Sequence, residues 1–127
     1  MLRKEQIQAA KDRPREWVAV PEWTPEGETF DSAVHGVWVG TMSAKDRDSW
    51  EQGVYWKKSE DEKSNLENLR TLLAIYSVQD ETGTRLFDAT DVTWLAEKAG
   101  TALTGIFDVA MRLNKLRKKD TDELTKN

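Results

Sequence analysis

The chain has 127 residues, 38% hydrophobic and 33% charged, with 19 Lys and Arg against 23 Asp and Glu for a net charge of −4. This length fits one domain with one core, since such a chain buries roughly two-thirds of its unfolded surface. The acidic balance weighs against general nucleic-acid binding, the lack of cysteine excludes a disulfide framework or thiolate zinc site, and no apolar run approaches the ~20 residues of a membrane span.

The opening Met1-Leu2-Arg3-Lys4-Glu5 lacks the apolar core of a secretory signal, so a reducing cytoplasm is the expected compartment. Residues 6–12 are expected to form a short helix with Ile7 and Ala10 on one side, ended by Pro14. Glu16-Trp17-Val18-Ala19-Val20-Pro21-Glu22-Trp23 is β-branched and aromatic, and Pro21 indicates an edge position. Thr24-Pro25-Glu26-Gly27-Glu28 is turn chemistry, and residues 34–41 read as the return strand. A hairpin or small sheet over residues 17–41 is the simplest solution, with its register open.

Ser43, with Asp46 three residues on, reads as the N-cap of a helix carrying Trp50 and Val54 on one face and ending near Tyr55-Trp56. Residues 57–64 hold no apolar side chain and are expected to form a mobile surface loop. Asn65 is then the expected cap of a helix in which Leu66, Leu69, Leu72, Leu73 and Tyr76 share a face. Ile75 and Val78 widen that face and mark this helix as central. Asp80-Glu81-Thr82-Gly83-Thr84 stops it, and Arg85-Leu86-Phe87 is a short extended segment or a hydrophobic staple.

Asp88 or Thr90 caps a further helix with Val92, Leu95, Ala96 and Ala99 on one side, broken by Gly100. Leu103, Ile106, Phe107, Ala110 and Leu113 form the clearest amphipathic stripe of the chain. Asp120-Thr121-Asp122-Glu123 resembles a capping box before a short tail helix. There is no internal repeat and no low-complexity segment. The fold class is mainly α: a small helical domain of four to five helices with an N-terminal β-hairpin or short sheet. It is one domain over 1–127, with the β-element at 17–41 and the helical core at 43–127.

No residue set for catalysis accompanies these elements. His35 is the only histidine, and beside Gly36 before an apolar strand it reads as structural. Glu22, Glu26, Glu28 and Asp31 crowd the hairpin, but turns are commonly acidic and no nucleophile or oxyanion motif accompanies them. Gly36 and Gly40 lack phosphate-loop spacing and the Lys-Ser/Thr such a loop needs. Arg112, Lys115, Arg117, Lys118 and Lys119 form a basic cluster that complements a helix C-terminus. If it binds, an acidic protein helix fits it better than a nucleic acid, because no aromatic residues interleave it. Trp94 lies opposite its own helix's apolar stripe. Either it packs under the hairpin or it is exposed, as binding hot spots are.

The ordered series Val37-Trp38-Val39, Met42-Ser43-Ala44-Lys45-Asp46, Asn68-Leu69-Arg70, Asp80-Glu81-Thr82-Gly83, Leu95-Ala96-Glu97-Lys98 and Ile106 through Asn114 resembles the tail assembly chaperones of long, non-contractile-tailed bacteriophages. The resemblance covers roughly 90 residues in ordered blocks of amphipathic helix. It departs at residues 23–36, where this chain has a longer, Trp-rich hairpin. It implies an all-helical core with a small β-element, no catalysis, and no cofactor or metal. It also implies binding to the tape measure protein, which would be kept soluble while the tail tube protein is recruited. Such a protein works in the host cytoplasm, forms a homo-oligomer, touches no nucleic acid or membrane, and is absent from the mature virion.

A longer product made by frameshifting, contacting the tube protein, is a further implication; Thr125-Lys126-Asn127 is compatible with a slippery heptamer. The client groove implied lies between the helices of residues 66–78 and 103–113. Leu69, Leu73 and Phe107 would line it, with Trp94, Arg112 and Lys115 as further contact residues. Beside this reading stand a structural virion component such as a connector, a small DNA-binding regulator using residues 112–119, and, least favoured by the residue inventory, an enzyme.

Overall fold

The β-rich N-terminal third closes into a hairpin and then gains a third strand from much further along the chain. The computed structural model describes residues 1–56 and 58–126. Lys57 of the expected loop and Asn127 of the final triplet lie outside the described residues. Within them the order is α1 (Lys4–Ala9), β1 (Arg15–Ala19), a 3-10 turn (Pro21–Trp23), β2 (Gly36–Gly40), α2 (Ala44–Trp56) and α3 (Glu62–Ser77). Then come β3 (Val78–Gln79), a 3-10 turn (Ala89–Asp91), α4 (Val92–Ala96), α5 (Gly100–Leu113) and α6 (Lys118–Thr125).

β2 is the central strand of an antiparallel sheet in the order β1-β2-β3. The open register resolves with Trp17 opposite Trp38 and Glu16 opposite Val39. The two indoles meet edge to face at 5.5 Å between centroids, a geometry worth about 0.5–1.5 kcal/mol beyond the area it buries. On the other side Val39 pairs with Val78 and Trp38 with Gln79. Both glycines of β2 are required by close approach. A Cβ on Gly36 would stand 2.4 Å from the Val18 carbonyl oxygen, and one on Gly40 2.0 Å from the Gln79 amide.

α3 is central, as its apolar face predicts, and packs against α2, α4, α5 and α6. Leu69, Leu72, Leu73, Ala74 and Ile75 are buried on it, facing Trp50 and Val54 of α2 and Leu103, Ile106 and Ala110 of α5. Leu66 and Tyr76 are only half-buried. Trp50 has no exposed surface, and its indole N–H donates to the Leu69 carbonyl at 3.3 Å. A buried donor is thereby matched to an acceptor.

Several expectations are corrected. Among the described residues there are six α-helices rather than four to five, and the hairpin is part of a three-stranded sheet. α1 begins earlier and ends at Ala9, before Pro14 can act, and it buries no residue. β1 stops at Ala19, because Pro21 opens a 3-10 turn. The 57–64 loop is cut short by α3, which starts at Glu62 with the Asp61 carboxylate accepting from the Lys63 N–H. Asn65 is therefore not a cap. It is buried in the helix, donating to the carbonyls of Ser59 and Thr125 and accepting from the Ser59 N–H.

α4 is only five residues long, two more than the 3-10 turn before it, and Ala96 and Ala99 are exposed rather than on its buried side. Asp88, not Thr90, caps the preceding 3-10 turn. The break falls at residues 97–99, and Gly100 is the first residue of α5. In α6 the N-cap is Arg117, and Asp120 sits at N3, where it accepts from the Arg117 N–H. By contrast, Ser43 does bond the Asp46 N–H at the start of α2, which ends at Trp56 as expected.

Candidate functional site

Of its two expected positions, Trp94 takes the exposed one. It is 45% exposed, with its ring edge to face against Phe87 at 5.7 Å. Its indole N–H is fixed by a 2.8 Å bond to the Asp91 carboxylate. It forms one wall of a concavity of about 400 Å³, shared with Trp23 of the Pro21–Trp23 turn, Val37 of β2, and Leu86 and Phe87. Glu22 and Lys98 stand at its rim. The Thr101 hydroxyl bonds Glu22 and holds that carboxyl below its ordinary range. The helix wheel identified Trp94 but not its neighbours, which come from the Pro21–Trp23 turn, from β2 and from residues 86 and 87.

The expected groove between α3 and α5 is not continuous. The two helices pack directly, and Leu69 and Leu73 have no exposed surface. Both belong to the core that α3 shares with the helices around it, so a partner reaches them only if that packing opens. What remains are two depressions along the seam. One of about 280 Å³ is lined by Glu67, Arg70, Leu103 and Thr104. The other, about 360 Å³, is lined by Leu66, Arg70, Phe107, Met111 and Lys118. Arg70 lines both, with its guanidinium 5.3 Å above the half-buried Phe107 ring.

The basic cluster is split by its own partners. Arg112 reaches across to β1 and binds Glu16 at 2.6 Å, with both side chains about half exposed. Arg117 pairs with Asp120 at 3.6 Å. Lys115 closes α5 in the left-handed conformation, φ 53°. The Leu116 N–H bonds the Met111 carbonyl and the Lys115 N–H that of Arg112. This is the helix-ending motif that usually takes glycine.

His35 is held inside the β1–β2 loop. Its Nδ1 accepts from the Asp31 N–H at 2.9 Å and its Nε2 lies 3.1 Å from Glu28. These contacts give it a structural role. Of the hairpin acids, Glu28 and Asp31 serve the loop in this way, while Glu22 bonds Thr101 of α5. Among the described residues no group of three or more His, Cys, Asp or Glu is placed to hold a metal ion. Among the described residues no helix is long and apolar enough to cross a membrane.

One feature escaped the sequence reading. Tyr55 and Trp56 at the end of α2 are 67% and 79% exposed, edge to face at 6.1 Å. The available signal was two adjacent aromatics, which helical geometry cannot place on the same buried stripe.

A central helix ringed by others, a small sheet at one end, and half-exposed aromatics on shallow surfaces describe a small domain that presents surfaces rather than a deep cleft. That fold is shared with a solved structure, the bacteriophage HK97 tail assembly chaperone. The two superpose with a TM-score of 0.56 at 23% identity, over 86% of this chain and 94% of that one. No protein-family model matches the chain, and neither does any curated protein.

Proposed function

We propose that this chain is a tail assembly chaperone of a long, non-contractile-tailed bacteriophage. In this reading it binds the tape measure protein, keeps it soluble, and helps bring tail tube subunits to it in the host cytoplasm. It is absent from the finished virion and acts without catalysis. The observation that supports this most is the fold shared over 86% of the chain with a protein named for that role.

The surface chemistry fits. A long helical client exposes repeated apolar faces until the tube surrounds it, and bare faces of that kind aggregate. Shallow, aromatic-edged depressions on a small acidic domain cover such faces reversibly, and multiplicity along one client strengthens weak contacts. Trp94, Phe107, Arg112 and Lys115 are the contact residues of this proposal, whereas Leu69 and Leu73 support the surface from beneath.

Co-expression with the tape measure protein of the same genome, followed by size-exclusion chromatography with light scattering, tests it. The expected result is a soluble complex with several copies of this chain on a client that is insoluble alone. No complex, or recovery of this chain from purified virions, overturns it.

A further inference from the structure

Arg70 differs from the other arginines between β1 and the end of the chain. Arg15, Arg47 and Arg85 donate to main-chain carbonyls, and Arg112 and Arg117 pair with carboxylates. Arg70 has no acceptor among the described residues. Its Nε is buried without a hydrogen-bond partner, and its guanidinium meets the Phe107 ring at 5.3 Å. A guanidinium carries five donors, and one that is half-buried for the sake of the fold is normally met by acceptors.

The surroundings show what would meet it. Leu103 lies in one of the two depressions that Arg70 joins, and Phe107 and Met111 in the other. These three stand four residues apart, on one face of α5. At 1.5 Å per residue they span roughly 12 Å. A second helix laid along the seam presents side chains three or four residues apart over the same span. Its middle position meets Arg70, and its outer positions meet Leu103 on one side and Phe107 with Met111 on the other.

Charge restricts the occupant further. Glu67, Asp108 and Asp122 line the same depressions, yet among the described residues none forms an ion pair with Arg70. A polyanion would set further negative charge against all three. A single carboxylate between apolar neighbours meets Arg70 and leaves them in water.

We propose that the α3–α5 seam receives an amphipathic helix of a partner protein carrying one Asp or Glu in the middle of its apolar stripe, and that the terminal nitrogens of Arg70 bind that carboxylate. The existence of a helical client rests on the tail-assembly reading; the acid at its centre is what Arg70 adds. Arg suits the role because its planar fork grips a carboxylate through two parallel bonds, which Lys cannot do.

The full chain is titrated with overlapping peptides tiling the tape measure protein of the same genome, beside co-expression of the two proteins. Peptides that bind are expected to hold an Asp or Glu with apolar residues three or four positions to either side. Arg70→Met should weaken them about tenfold or more, with Arg70→Lys in between. Changing the peptide's acid to its amide should cost the wild type a similar factor and the Met variant nothing further. That exchange leaves the fold of the chain untouched, and Arg70→Met removes an unmet buried donor, so it should melt no lower than wild type. Equal binding by the Met variant, or bound peptides without such an acid, overturns the inference and leaves the tail-assembly reading standing. A wild type that binds neither the peptides nor the co-expressed client overturns both.

Discussion

The side-chain oxygen of Asn114, at the end of α5, accepts a 2.8 Å hydrogen bond from the backbone N–H of Met42, between β2 and α2, and both residues are buried. Its amide nitrogen donates to the Ala110 carbonyl, and its own carbonyl accepts from Arg47. One short side chain thus joins the sheet to the helical core across seventy-two residues of sequence.

Asn114→Ala leaves the Met42 N–H buried without a partner. Such a loss costs about 1–3 kcal/mol. Thermal unfolding followed by circular dichroism should show Tm lowered by several degrees, and Asn114→Asp, which keeps the acceptor but sets a buried carboxylate against the Ala110 carbonyl, should lose at least as much. No change for the Ala variant would mean that water replaces the bond.

Lys115 occupies the left-handed position that ends α5. For a side chain with a Cβ that conformation costs about 1–2 kcal/mol, which glycine avoids. Lys115→Gly is expected to raise stability by roughly 0.5–1 kcal/mol, after allowance for the greater freedom of glycine in the unfolded chain. If Lys115 also contacts the client, the same variant should be more stable and bind less. Denaturant unfolding and client pull-down together read both effects.

The two glycines of β2 should respond differently to alanine. At Gly36 the new Cβ meets a backbone oxygen, that of Val18, at 2.4 Å, and the strands must part. At Gly40 it meets the end of the Gln79 side chain, which can rotate away. Gly36→Ala should therefore destabilise clearly more than Gly40→Ala in chemical denaturation. Equal losses would show that β3 is as immovable as β1.

Acid should loosen the turns first. Asp80 is held below its ordinary value of 3.8, chiefly by the Thr82 hydroxyl and then by backbone N–H groups; Asp88 is held similarly by Thr90, and Asp61 by Ser64. For a depressed carboxyl the unfolded chain binds the proton more readily, so stability rises with pH through the window between the two values. The contribution is complete above the unfolded value near 4 and is lost as pH falls through the lower folded values. Melting curves between pH 7 and 2 should be flat above about pH 5 and fall below it. Asp80→Asn should flatten part of that fall.

Much of the helical core was legible because two stripes were long enough to carry their period. Leu69, Leu72 and Leu73 on α3, and Leu103, Ile106 and Ala110 on α5, lie buried where the spacing puts them. β3 was not legible, because two residues directly after a helix show no alternation. Its existence depends on Val39 being presented across from Val78. Asn65 misled because Asp61, four residues earlier, is also a capping side chain and won the role.

The α3–α5 groove was legible only in part, for a related reason. A shared apolar face predicts contact between two helices, and close contact reduces the opening between them to two depressions along the seam. Arg70, polar in sequence and unremarked, is the residue that shapes the seam.

The late third strand has a consequence for the order of events during synthesis. β1 and β2 are complete by residue 40, yet β2 gains its second neighbour only when residues 78 and 79 appear, after all of α3. An isolated two-stranded ribbon is marginal in water. The nascent N-terminal third, with four of the six tryptophans in its first fifty residues, therefore spends the translation of about forty codons without its final partner, at roughly 5–20 residues per second. The chain itself passes through a short sticky interval, closed by the emergence of Val78.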